Sequence, residues 1–552
     1  VTAIQQLARM LRTVRPLRPR QFIAEILYLV RGVGSPVRSE EAEPELSSGI
    51  PLAPFLPGPV HARWLGEGVL QLINHRADFS RGVDWSYAEG GPLWAYLLHN
   101  CDHLRDEGLT SERRAELIRD WIQNHTSGVG WDSHPTCLRI LNWGKLLVFP
   151  ENLALDGNFS RQIRGSLAQQ ADTLDAHLEV RVQGNHLLSN LLGIVFAGLL
   201  FDGPRADRWL GRSEALIREI DLQFNDDGGH EERSPMYHAL LLENLLDTLN
   251  LARARLDRVP DKLIETLEEV ASRALFALSV WSLPDGEISL FGDSVFGVSN
   301  RLDTLVEYAE VLGVVPARPA TLGLLDSTGF ARLDGGAFAL IVSVAAPSPA
   351  HQPGHAHCDA LAFELSCGDE RVVADTGVFE YVSGERRRIS RATLSHSTLE
   401  IGGLEQAEIW GAHRIGGRSR VRLVDFQPGA RIEATCEAWS TPQHLHRRVF
   451  TLQEGALEIR DRLKGPPMPV CFSLPLAPGI KVRLIHDQDG RSELQMILPS
   501  GSRIRVMLPV TIEWRIEPHV YFSRFGEEEE RERILGEARS FESGTWRFEF
   551  LG

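Results

Sequence analysis

Two imidazoles one residue apart stand in Gly354-His355-Ala356-His357-Cys358-Asp359-Ala360. In an extended segment His355 and His357 point to the same side. Further along come Asp375, in Ala374-Asp375-Thr376-Gly377, and His396, in Ser395-His396-Ser397. Imidazole and carboxylate together suit a borderline divalent cation such as zinc, with manganese or calcium as alternatives. The intervals are long and irregular, and the plainer reading is a set of core histidines satisfied by hydrogen bonds. Three polar clusters at strand ends point instead to a metal or catalytic site.

Three more patches carry suitable groups. Asn185 and His186 open the apolar run Gly184-Asn185-His186-Leu187-Leu188-Ser189-Asn190. Donors at a helix N-terminus favour an anion; the plainer alternative is that Asn185 caps the helix. In Asp226 to His238 a glycine turn leads through Pro235 into a helix with Tyr237 and His238 in its first turn. Tyr and His can each act as general acid or base. Glu231 and Glu232 beside them read as a solvated turn or structural ion pairs rather than a glycosidase acid pair. Arg386-Arg387-Arg388, Arg391 and Trp410-Gly411-Ala412-His413-Arg414 suit sulfate, carboxylate or sugar-ring contacts, although a charge run is commonly a solvated loop.

The elements that must position these groups change character along the chain. Residues 93–104, 111–124, 137–148, 161–178, 186–201, 206–224, 237–256 and 262–281 carry apolar residues at helical spacing, with Gly, Pro, Asn and Asp in the gaps. From Phe330 onward short alternating runs take over, as in Ala337–Val344, Ala430–Trp439 and Arg503–Leu508, which predicts a β-sandwich. At 552 residues two domains are expected, a helical one over 1–318 and a β-sandwich over 319–552. A net charge of −16 argues against nucleic acid as a partner, and only a local basic cleft would suit a polyanion. The six cysteines form no CxxC pair and read as buried thiols. No apolar run is long enough to span a bilayer. The basic and apolar stretch Val1–Gly34 lacks a signal-peptide pattern; the cytoplasm is the expected location, export the alternative. A helix packed on the main domain is expected there rather than one touching a membrane surface.

Taken in order, Gly-Asn-His-Leu-Leu, Ser-Pro-Met-Tyr-His, His-Ala-His-Cys-Asp-Ala and Ala-Asp-Thr-Gly resemble the heparinase II/III family of polysaccharide lyases, as does Trp131–Arg139. The resemblance implies an incomplete (α/α) toroid followed by an antiparallel β-sandwich, with the site between them. It implies that Asn185 neutralises a substrate carboxylate, that His186 and Tyr237 are catalytic, and that His355 completes the site from the sandwich. His357, Asp375 and His396 would hold the metal. An anionic polysaccharide would lie against Arg139, Arg233, His238, Tyr381, Arg388, Arg391 and Trp410. Ser189 and Phe379 stand where some heparinase II-like members carry a glutamate and a tyrosine, with Tyr381 two residues on. The expected reaction is β-elimination at a uronate. Its C5–H is a very weak acid, and one donor to the developing oxyanion is worth roughly 3–4 kcal/mol. Either His186 or Tyr237 would take the proton. A glycoside hydrolase and a non-catalytic polysaccharide-binding protein are the competing readings; the first needs two carboxylates about 5–9.5 Å apart.

Overall fold

The computed structural model describes residues 3–31, 36–48, 51–66, 68–486 and 491–552. The chain opens with helices α1 (Ala3–Val14) and α2 (Pro19–Arg31), then makes a small three-stranded meander over residues 62–78. A run of helices follows: α3 (Gly91–Asn100), α4 (Ser111–Asn124), α5 (Ser133–Leu147), α6 (Gly157–Ala176), α7 (Gly184–Leu200), α8 (Pro204–Leu210), α9 (Ser213–Gln223), α10 (Pro235–Arg253), α11 (Asp261–Trp281) and α12 (Leu302–Val311). The single helix expected over 206–224 is therefore two, broken at Gly211-Arg212, where the chain turns to bring α9 back onto α7.

Packing sorts these helices into two rows. α3 lies on α5, α5 on α7 and α7 on α10, while α4 lies on α6, α6 on α8 and α9 on α11. Sequence alternation between an inner and an outer row is the (α/α) toroid arrangement. The inner helices lack a solvated face: α7 buries every residue from Leu187 to Leu200, and α5 every residue from Pro135 to Leu147 except Leu138, Arg139, Asn142 and Lys145 included. A helix as apolar as α7 must be covered on all sides, whereas the outer α4 and α11 keep a solvated face.

After Leu324 the regular structure is almost wholly antiparallel sheet. A five-stranded sheet runs from 370–373 through 363–367, 338–343 and 330–335 to 324–325, and an eight-stranded one takes the four strands of 420–464 together with 481–486, 492–497, 503–507 and 543–550. A four-stranded sheet of 399–401, 470–475, 529–538 and 513–521 completes the sandwich. Leu340, Leu365, Phe450, Ile459, Phe472, Val506 and Phe548 fill one core between them. One strand of that last sheet carries no alternation legible in sequence. Glu529–Ala538 reads as solvated charge, yet it is paired on both sides and buries Arg531, which donates to the Ala374 carbonyl at 2.8 Å and to Thr376 Oγ1 at 2.6 Å. One short helix, α13 (Glu385–Arg391), interrupts the sandwich near its contact with the toroid.

The N-terminal pair straps both halves. α1 meets the sandwich through Arg12 and Glu408 (2.7 Å), and α2 meets the toroid through Arg20 and Glu219. The expected packing on the main domain occurs, but through the polar side of each helix; residues 1–2 and 32–35 of that stretch lie outside the described residues.

Candidate active site

Asn185 is placed by a strained entry into α7. Gln183 and Gly184 have φ of +64° and +56°, a left-handed backbone that glycine tolerates best. A Cβ on Gly184 would lie 2.0 Å from Glu232 Oε1. Glu232 fills that space, its Oε1 accepting the Asn185 backbone N–H (2.8 Å) and its Oε2 the side-chain amide (2.7 Å). The anion position at the start of α7 is thus held by the chain's own carboxylate. Burial would raise Glu232, but His355, His230 and the two Asn185 donors keep it below the usual carboxylate range. Glu232 is no solvated turn residue; its signal in the sequence was masked by the adjacent Glu231, which faces Arg18 at 3.6 Å.

His186 pairs with Glu179 (Nδ1 to Oε1, 3.0 Å) and stacks on His134 with ring centroids 4.2 Å apart. Burial opposes charge on His186, yet the Glu179 carboxylate outweighs it and the imidazole is raised above its ordinary pKa. Against its own burial, Glu179 is drawn down to about 2 by His186. His134 is pushed to about 3 by burial and by the neighbouring His186.

Tyr237 is set by the cap of α10. Ser234 Oγ accepts the Tyr237 N–H at 3.2 Å and donates to the Asp293 carbonyl at 2.7 Å, and Pro235 fills the first turn. From the sandwich, the loop before strand 363–367 delivers His355 and His357 to opposite oxygens of Asp293, at 2.9 and 2.8 Å. Arg387 of α13 closes the same carboxylate through both terminal nitrogens, Nη2 at 2.9 Å. Burial would raise Asp293, but Arg387 and the two histidines hold it well below the carboxylate range.

Four groups converge where the halves meet. The His355 ring lies 4.1 Å from the Tyr237 ring, and its Nε2 is 3.4 Å from Asn185 Nδ2. The hydroxyls of Tyr237 and Tyr381 are 3.0 Å apart, and burial lifts both phenols above their ordinary range. A cavity of about 140 Å3 opens beside them, lined by Tyr96, His134, Asn185, Ser189, Tyr237 and Phe525. A wider depression of about 570 Å3, edged by Leu283, Arg332 and Asp334, touches none of these residues.

His357, Asp375 and His396 bring ligand atoms within 4.8 Å of one another, all buried. Asp375 Oδ2 accepts from His396 Nδ1 at 2.7 Å. That leaves His396 Nε2 and His357 Nδ1 buried with no hydrogen-bond partner, an expensive state that a cation would relieve. The donor set therefore fits a divalent metal. His134, Glu179 and His186 form a second group with ligand atoms as close.

None of the residues expected to bind substrate lines the cavity. Arg139 is core: fully buried, 4.0 Å from the Trp121 ring and bonded to Gln170. His238 is equally buried, its Nε2 on the Ala274 carbonyl. Arg391 spends its guanidinium on the carbonyls of Ala356, Gly411, Ala412 and Arg414. Arg233 donates to the Ala346 carbonyl across the domain boundary, Trp410 to Thr13 Oγ1 (3.1 Å), and Arg388 lies in solvent beside Glu385. Each is tied up by the backbone or by a neighbour, so none but Tyr381 meets the constellation. Phe379 lies under Arg386, 4.0 Å away.

Two family models match the chain, Heparinase II/III N-terminus over residues 114–321 and Heparinase II/III-like, C-terminal over residues 317–546. The chain is 26% identical over 512 residues to FtsZ-localized protein C of Caulobacter vibrioides, covering 85% of this chain and 82% of that protein. It is 27% identical over 254 residues to a heparin-sulfate lyase of Bacteroides stercoris, covering 41% of this chain and 37% of that one. Among solved structures, heparinase III superposes with a TM-score of 0.66 at 19% identity, covering 96% of this chain and 89% of that one. The heparan sulfate lyase HepC of Pedobacter heparinus gives 0.58 at 20%, covering 86% and 79%.

Proposed function

Because the chain belongs to the heparinase II/III family of polysaccharide lyases, we propose that it cleaves a uronate-containing glycan by β-elimination. The observation that carries this reading is the meeting of Asn185, Tyr237, His355 and Tyr381 at one point of the domain boundary. Asn185 and His355 present donors to the uronate carboxylate, whose charge must be neutralised as the C5 proton leaves. The C5–H pair then forms the C4–C5 double bond, the C4–O bond breaks, and the leaving oxygen takes a proton. Tyr237, which burial keeps protonated, gives that proton, with Tyr381 holding its hydroxyl. His186 takes the C5 proton in its neutral form; for Tyr237 to take it instead, the phenol would first have to give up its own proton against the burial that holds it, and would then return the C5 proton to the leaving oxygen.

A divalent ion on His357, Asp375 and His396 would fix the sandwich loop beside His355 and supply charge there. This chain's own Asp293 orients His355 through Nδ1. A glycoside hydrolase is disfavoured, because the carboxylates about the site are already engaged: Glu232 and Asp293 with Asn185, His355, His357 and Arg387, and Glu243 and Asp102 on the cavity wall with Arg105, Asn300 and Asn142. The test is a panel of uronate polymers, including heparan sulfate and alginate, followed by the ultraviolet absorbance of the conjugated 4,5-unsaturated product. Growth of that signal with at least one polymer is expected. New reducing ends without it would mean hydrolysis, and binding with neither would mean a carbohydrate-binding protein.

A further inference from the structure

We propose that α1 and α2 are a peripheral anchor that lays the molecule on an anionic lipid surface. A surface helix ordinarily turns its apolar stripe inward; these two do the reverse. Arg9 and Arg12 of α1 reach Glu408 at 3.2 and 2.7 Å, and Thr13 accepts from Trp410. Gln21 of α2 donates to the carbonyls of Arg181 and His351 at 3.4 and 3.3 Å. With the polar sides committed to the protein, the apolar ones face out. Ile4 is 82% exposed, Leu7 59%, Leu11 62%, Ile23 60% and Ile26 62%. Spacings of three and four residues put these on one stripe of each helix. Trp439, half exposed, sits under Arg12 at 5.4 Å and adds an aromatic of the kind that settles at headgroup depth.

Charge decides the occupant. Residues 3–31 carry six arginines against the single Glu25, in a chain whose net charge is −16. Arg15 is exposed in the turn between the helices, and Arg9, Arg12, Arg18 and Arg20 each keep roughly a third of the side chain in solvent despite their inward partners. A second copy docked on this face would set arginine rims against each other. Anionic headgroups neutralise them while the acyl boundary takes up the leucines and isoleucines. Among the described residues no helix is long and apolar enough to cross a membrane, so the pair lies in the plane of the surface. Arg18 and Gln21 touch Glu231 and His351, which flank the candidate site. The anchor therefore also sets how the cleft faces the membrane.

The experiment is co-sedimentation of the full chain with vesicles of phosphatidylcholine alone and of phosphatidylcholine containing phosphatidylglycerol. A triple variant, Leu7→Glu, Leu11→Glu and Ile23→Glu, alters only exposed side chains, and its thermal melt verifies the fold. The expected result is binding to phosphatidylglycerol vesicles that weakens with salt and falls about tenfold or more in the variant. Binding to neither vesicle, or equal binding by the variant, overturns the proposal. So does a lipid-indifferent dimer that the variant converts to monomer in sedimentation velocity, which would make the face a self-interface.

Discussion

At the scale of single residues, the proposed reaction rests on where protons are held. Burial keeps the Tyr237 phenol protonated, which suits the donor to the leaving oxygen. Tyr237→Phe is expected to lower turnover by about 10²–10⁴-fold while glycan binding and the thermal melt stay near wild type. Initial rates from product absorbance, beside a binding isotherm, check this, and wild-type rates would remove Tyr237 from the chemistry. His186 offers a test with a sign. Its pKa is raised by Glu179, so a base function needs pH above that raised value, and kcat/KM climbs as pH passes through it. Glu179→Gln removes the carboxylate and lets burial pull His186 down, moving the acid limb of the profile to lower pH. A limb that does not move would assign the base role to Tyr237.

At the scale of elements, the loop between strands 338–343 and 363–367 depends on charges borrowed from elsewhere. Asp293 neutralises buried Arg387 and holds both His355 and His357. Asp293→Asn leaves a buried guanidinium without its counter-charge, and a loss of about 3–5 kcal/mol is expected in denaturant unfolding. Because the Asp293 pKa is depressed, its contribution is complete above the ordinary aspartate pKa and fades as pH falls toward the folded value. The Asn variant is therefore expected to lose the part of wild-type acid sensitivity that lies in that window. The metal set gives a companion test. Binding to the native state alone adds stability by mass action, so chelation is expected to lower Tm in the wild type and to leave His396→Ala unmoved. An active, metal-free preparation by elemental analysis would refute a bound ion at this set.

At the scale of the whole molecule, we propose that the division into residues 1–318 and 319–552 separates two halves of one catalyst. Asn185 and Tyr237 come from the toroid and His355 and Tyr381 from the sandwich, and their contacts of 3.0–4.1 Å exist only when the halves dock. Misplacement on the order of 1 Å can cost about a hundredfold in rate. Separately expressed halves are expected to show no elimination even where each folds by circular dichroism. A helical half working near the full rate would make His355 dispensable.

Much of this was already decided by local patterning. Helical spacing over residues 111–281 and alternation after Phe330 separate the two architectures because amphipathic period is a property of neighbouring residues. Ser234-Pro235 announces the helix start that displays Tyr237 for the same reason. Tertiary structure alone chose among polar residues that look alike in one dimension. Arg139 and Arg391 lie near the motifs but serve the core and the backbone, whereas Glu232, 47 residues from Asn185, and Asp293, 94 residues from Arg387, organise the site. Their roles come from electrostatic pairing across long loops, which leaves no trace in spacing. The reversed faces of α1 and α2 have the same origin. Periodicity shows that a helix has two sides, but only the position of partners such as Glu408 and Glu219 determines which side meets protein and which meets solvent.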